Sequence, residues 1–173
     1  MGDTDITLAI RIDDITLLEQ AFKAVKPMSQ ASGIAMSIDN PESVFDFDAE
    51  NKRTVLRAVV TIRLEAGENA GKPDSDPALV FGTTLGVVTS VAAMESTAGA
   101  ARHMAGGDDP EARRDDKMSR SLLLEAIKAA HGFASAKLAE LSSLSPTPKI
   151  LLPAIDADTL LIDLERRQSV GKN

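Results

Sequence analysis

Hydrophobic and polar positions alternate at the start of the chain. Ile6, Leu8, Ile10 and Ile12 share one parity, with Thr7, Ala9 and Arg11 on the other. A period of two marks a strand with one buried face. After Asp13 and Asp14 the parity flips, because Ile15 and Leu17 are odd, and such a flip predicts a bulge or bend. From Leu17 to Val25 the pattern fits either a continued strand or a helix, since Leu17, Leu18, Ala21, Phe22 and Val25 also fit a 3.6 spacing. Lys26-Pro27 ends this segment. Met28 to Glu42 reads as a long connection with one short apolar run inside it, Ile34 to Ile38.

Beyond Pro41, Val44 to Asp48 alternates again. Arg53 to Leu64 is the strongest strand: Val55, Val59 and Thr61 face one way, and Leu56, Ala58, Val60, Ile62 and Leu64 the other. Ala66 to Ala78, with Gly71, Pro73 and Pro77, reads as a solvated loop. Leu79 to Val91 returns to strand chemistry, and Gly82 and Gly86 mark bulges or close backbone approach. Ala92 to Gly107 is rich in small residues and has no clear period. Residues 108–118, dense in charge of both signs, read as a charged loop or insertion.

Ser119 or Ser121 then caps a long helix carrying the stripe Leu123, Ile127, Ala130, Ala134, Leu138 and Leu141. Pro146 and Pro148 stop it. Asp156 or Asp158 caps a last helix through Leu160, Leu161 and Leu164, and residues 166–173 read as a frayed tail. Strands followed by helices, with no βαβ alternation, predict an α+β fold on an antiparallel sheet, as a single domain over residues 1–173.

The composition narrows the chemistry. Of 173 residues, 43% are apolar and 26% charged, the balance of a globular protein. Cys, Trp and Tyr are absent, and there are five Phe and two His. Thiolate metal sites and cysteine nucleophiles are therefore excluded. A formal net charge of -7 and a pI near 4.8 oppose a nucleic-acid backbone, and base stacking has few platforms. No apolar run approaches the ~20 residues of a membrane span. The acidic start Met1 to Asp5 is unlike a signal peptide, so the expected location is cytoplasmic.

Neither a dinucleotide fingerprint nor a phosphate loop is present. His103, near Asp108 and Asp109, has no recurrent ligand spacing around it and reads as part of a solvated loop. His131 has no carboxylate at a helical step and reads as a surface or packing histidine. This inventory points away from an enzyme, with no cofactor and no metal expected. What remains is surface chemistry. Ile34, Met36 and Ile38 read either as a short edge strand tucked onto the sheet or as the lip of an adaptable apolar groove.

Four stretches together resemble the SecB family of export chaperones and their SecB-like relatives. Pro148-Lys149-Ile150-Leu151-Leu152-Pro153, followed by Ile155 to Leu161, looks like the family's P-x-L-x-L-x-P and the helix start after it, one residue shorter between the prolines. Val44 to Asp48 is similar to its second strand, Val55 to Ile62 to its third, and Asp14-Ile15-Thr16 to part of its first. Order and spacing agree over roughly residues 6–165. The resemblance implies a four-stranded antiparallel sheet with a long crossover after the first strand, one long helix and a short C-terminal helix. It also implies a homo-oligomer, a dimer or tetramer, that binds unfolded polypeptide for export or for a dedicated client such as an antitoxin.

Carried over by position, the groove would be lined by Met28, Ile34, Met36, Ile38, Leu160, Leu161 and Leu164. Asp14 and Glu19 would meet a SecA-type ATPase. Leu123, Ile127, Ala130, Ala134 and Leu138 on the long helix would form the oligomer interface. The chain departs from the family in having no Tyr or Trp for the groove walls. The alternative reading from the residues is a structural or adaptor protein, such as a phage assembly component, that self-associates through the Ala-rich helix.

Overall fold

The computed structural model describes residues 9–24, 33–39, 41–48, 50–51, 53–68, 70, 78–94, 110–143 and 150–170. Five strands come first, β1 (Ala9–Ala24), β2 (Ile34–Ile38), β3 (Glu42–Asp48), β4 (Arg53–Glu68) and β5 (Ala78–Met94). Two helices follow, α1 (Pro110–Ser143) and α2 (Ala157–Val170). The α+β class and the antiparallel sheet are as the sequence predicts.

All strand pairings are antiparallel, in the order β1-β5-β4-β2, with β3 also on β4. β2 pairs with Ile62 to Ala66 and β3 with Arg53 to Val59, so the two short strands share one edge of β4. The expected four strands are thus five strands in four lanes, because part of the supposed crossover, Ile34 to Ile38, joins the sheet. The fourth lane breaks at Asp39 to Pro41, where proline has no N–H to give a ladder.

Register assigns the two faces of the sheet. Leu56, Ala58, Val60, Ile62 and Leu64 of β4 lie beside Val91, Thr89, Val87, Leu85 and Thr83 of β5, and all ten are buried. This is the face that α1 covers, packing across β5, β4 and β1. β1 keeps apolar residues toward it only by slipping register twice, between Ile12 and Asp14 and between Leu17 and Glu19. The first slip is the predicted one. The second, unpredicted, carries the strand on to Ala24 and returns Phe22 to the helix side, where its ring meets Phe81 edge-on at 4.9 Å. The helical spacing of Leu17 to Val25 loses because β5, 17 residues long, offers a backbone partner along the whole of β1.

Helix α1 begins at Pro110, so the expected loop over 108–118 is helical from its third residue. Proline is suited to the first helical position. At 34 residues α1 is about 51 Å long, the length needed to cover strands of this size. Its buried stripe is Leu122, Ala126, Ile127, Ala130, Ala134 and Leu138, with Leu123 half-buried against the same cluster. The expected oligomer interface is corrected here: Ile127, Ala130, Ala134 and Leu138 are fully buried within this one chain, because the alanines let α1 sit close on the sheet. They are core.

After α1, Ile150 and Leu152 are buried and Leu151 exposed. The Ile150 N–H donates to Ser142 Oγ at 3.0 Å, and His131 Nε2 donates to the Pro153 carbonyl at 2.9 Å. The segment therefore runs back along α1. Asp156 caps α2: its carboxylate accepts from the Thr159 hydroxyl at 2.8 Å and the Thr159 N–H at 3.3 Å, which lowers its pKa. Arg120 and Glu165 pair at 3.2 Å, and Asp158 adds to the charge around Lys128, so α2 lies antiparallel to α1. The helix runs to Val170, so its last turn includes the first residues of the expected tail.

Ile127→Ala is expected to lower the free energy of unfolding in urea by about 2–5 kcal/mol. An interface residue would change association instead and leave the unfolding of the separated chain alone.

Candidate functional site

β2 and β3 lie at the margin of the packing of α1, and the helix-side residues of β2 grade from core to solvent. Register puts Ile34, Met36 and Ile38 beside Ala66, Leu64 and Ile62, on the helix side of the sheet. Ile38 is 2% exposed, Met36 half-buried and Ile34 60% exposed. Phe45, beside Leu56, faces the same side and is 44% exposed. Of the two sequence alternatives the edge strand is realised, and Ile34 at its outer end is exposed.

The other expected groove residues divide. Leu160 is half-buried, whereas Leu161 and Leu164 are each 2% exposed and pack in the core. Ile38, Leu161 and Leu164 are therefore anchors rather than groove lining, and Met28 lies outside the described residues, as does His103. In their place the structure exposes Leu151 and Ile162, which the carry-over by position passes over. Leu151 had a signal in the sequence, because it stands between Ile150 and Leu152 in an alternating run, whereas Phe45 follows the apolar parity of its strand and had none. Ile162 had none, because the direction of α2 depends on how it docks on α1.

The opposite face of the sheet carries no helix among the described residues. Asp14 and Glu19 both lie on it, beside Ser90 and Gly86 of β5. They stand five residues apart, an odd spacing that would split them between faces, and the second register slip brings them together. Gly86 makes this possible, since a Cβ there would stand 3.3 Å from the Glu19 Cβ.

At one end of this open face Arg53 ties three strands. Its Nη1 donates to Asp13 on β1 at 2.7 Å and its Nε to Asp48 on β3 at 2.8 Å. Asp48 also accepts from the Asn51 side chain at 2.8 Å and the Asn51 N–H at 3.1 Å. These bonds, the Asn51 side chain first and Arg53 second, hold the Asp48 carboxyl at about 2. Such a clamp braces the sheet and offers no acid or base near neutral pH. Among the described residues no group of three or more His, Asp or Glu is placed to hold a metal ion, and no helix is long and apolar enough to cross a membrane.

No family model matches the chain, and no curated protein matches its sequence. Among solved structures, the Mycobacterium tuberculosis Rv1957 SecB-like chaperone, in complex with a ChAD peptide from the Rv1956 HigA1 antitoxin, is similar over 85% of this chain and 91% of that chain. The TM-score is 0.49 and the identity 15%.

Because the Asp48 pKa is depressed on folding, its contribution to stability is present above the unfolded value near 3.8 and fades as pH falls through about 2. The stability difference between the wild type and Asp48→Asn, followed by urea unfolding, is expected to be constant from pH 7 to 5 and to shrink steadily from pH 4 to 2.

Proposed function

We propose that the protein is an ATP-independent chaperone that holds non-native polypeptide by burying apolar side chains on the outer lane of its sheet. The observation that carries the reading is apolar exposure on the helix side of the outer lane at two places, Ile34 beside half-buried Met36 on β2 and Phe45 farther along on β3, with buried Ile38 between them. A soluble protein has no structural need for large apolar groups on an edge lane, and in a chain with five Phe the exposure of Phe45 is costly unless something covers it. Met36 supplies a side chain that re-packs around varied partners.

The resemblance of Val44 to Asp48, Val55 to Ile62 and Pro148 to Leu161 to the SecB family supports the same reading. Its clients are unfolded chains, either precursors held for export or a dedicated client such as an antitoxin. Burying on the order of 1,000 Å² at about 25 cal/mol/Å² is a large gross gain, which the cost of ordering a flexible chain erodes. Capture is then reversible and tolerant of sequence. The alternative of a structural protein joined through its Ala-rich helix keeps only the outer alanines, Ala129, Ala136 and Ala139, because Ala126, Ala130 and Ala134 pack inside the chain.

The chain has no Trp, so a Trp-bearing client reports its own capture without background. A reduced, denatured Trp-containing polypeptide diluted into the protein is expected to form a discrete complex, with its aggregation suppressed in light scattering. The folded form of the same client should not bind. Ile34→Asp and Phe45→Asp are each expected to weaken capture roughly tenfold, equivalent to about 1.4 kcal/mol of lost burial, with wild-type urea unfolding. A wild type that never retains unfolded client refutes chaperone activity, and variants as effective as the wild type refute the assignment to this lane.

A further inference from the structure

The apolar exposure on the outer lane falls at two places whose separation is fixed by register. Ile34 stands beside Ala66 and Phe45 beside Leu56, ten residues apart on β4. β4 holds an unbroken register against β5 from Arg53 to Ala66, so the lane rests on a fixed ruler. At about 3.3 Å per residue the two exposed side chains stand about 33 Å apart. Leu151 and Ile162 are exposed too, but no strand pairing fixes their distance from the lane.

Between the two exposures the lane offers little to an apolar ligand. Met36 is half-buried, Ile38 is buried, and Ser43, beside Ala58 on the same side, is polar. The break between β2 and β3 at Asp39 to Pro41 lies there as well. One apolar side chain of a client can therefore cover Ile34 or Phe45, never both.

Resting on the chaperone reading above, we infer that the outer lane selects clients by the spacing of two apolar anchors. The occupant is an extended segment of an unfolded chain, with one apolar side chain seated on Ile34 and another, about ten residues away, on Phe45. The reach of a polypeptide sets the lower limit. A fully extended chain spans at most about 3.6 Å per residue, so anchors fewer than about nine residues apart cannot seat together. A helical client fails at the same spacing, because at 1.5 Å per residue anchors ten apart stand only about 15 Å apart. Once the first anchor is seated, seating the second is intramolecular, and the two contacts multiply. A longer linking segment still permits both contacts, with a gain that declines gradually. The client class is thus a long unfolded stretch with dispersed apolar residues, rather than a single hydrophobic cluster.

Peptides of equal length built from Ser, Gly and Gln test this, carrying one Trp or two Trp at spacings of four, eight or twelve residues. Each is titrated with the full chain, and its own Trp emission reports binding, since the protein has no Trp. The spacing of twelve is expected to bind about tenfold more tightly than the one-Trp peptide. Spacings of four and eight should gain no more than the roughly twofold that a second identical anchor gives by statistics. Ile34→Asp and Phe45→Asp are each expected to cancel the gain at twelve and to leave the one-Trp peptide within about twofold of its wild-type affinity. Ile34→Ser and Phe45→Ser repeat the design should an added charge disturb the strand. Equal affinity at four and twelve, or a gain at twelve that survives these variants, would overturn the proposal. So would the absence of binding at every spacing by a protein that still captures denatured client. A wild type that retains no denatured client overturns the chaperone reading instead, so the two fail separately.

Discussion

The packing of α1 against one face of the β1-β5-β4 sheet sets the terms for the rest of the molecule. Leu122, Ala126, Ala130, Ala134 and Leu138 lie fully buried at four-residue steps, and the even side chains of β4 and odd side chains of β5 lie buried opposite them. Alanine at the centre of the stripe lets the helix axis approach the sheet, and leucine at each end closes the gap as the sheet twists away. Because a one-residue slip would turn the apolar set of a strand to the other face, this burial dictates register throughout. β1 shows the constraint most plainly. Its two slips are the cost of keeping Ile10, Ile15, Leu17 and Phe22 on the covered side over sixteen residues.

A helix covers a strip only about 10 Å wide, which is roughly two strand spacings. Four lanes exceed that width. The outer lane is therefore left with apolar side chains that nothing among the described residues roofs, and the reverse face carries no helix among them. Both candidate surfaces follow from this geometry rather than from a special motif. They differ in chemistry as they differ in place. The outer lane exposes apolar side chains at Ile34 and, farther along, at Phe45, whereas the open face is small-featured and patterned in charge. Asp13, Arg53 and Asp48 brace the open face at one end by bonds that reach from β1 across β5 to β4 and β3.

Much of the fold was legible because it rests on local periodicity. The parity of Arg53 to Leu64, the flip after Asp14 and the stop after α1 are all properties of neighbouring residues. The site was less legible. Ile34 and Met36 stood out as apolar residues in a supposed connection, but Ile38 of the same run is core. Leu161 and Leu164 resemble lining residues in the linear pattern and pack inward, while Ile162 between them points out. His131, which had no partner at any helical step, bonds to a carbonyl 22 residues away. Pairing across such a distance leaves no trace in spacing.

Taken alone, the sequence determined most of the strands and the body of each helix, and that one face of each is apolar, but it left Leu17 to Val25 open and read the first turns of α1 as a loop. Those outcomes follow from side-chain alternation and turn chemistry, which act over a few residues. Only the tertiary structure decided which apolar faces are covered, because coverage depends on where α1 ends across the sheet and which lanes it cannot reach. The long-helix stripe became core instead of interface for that reason. Glu19 joined Asp14 on one face through a bulge stabilised by pairing with β5. Ile34 and Phe45 came to one side of the sheet, ten β4 residues apart, by register alone.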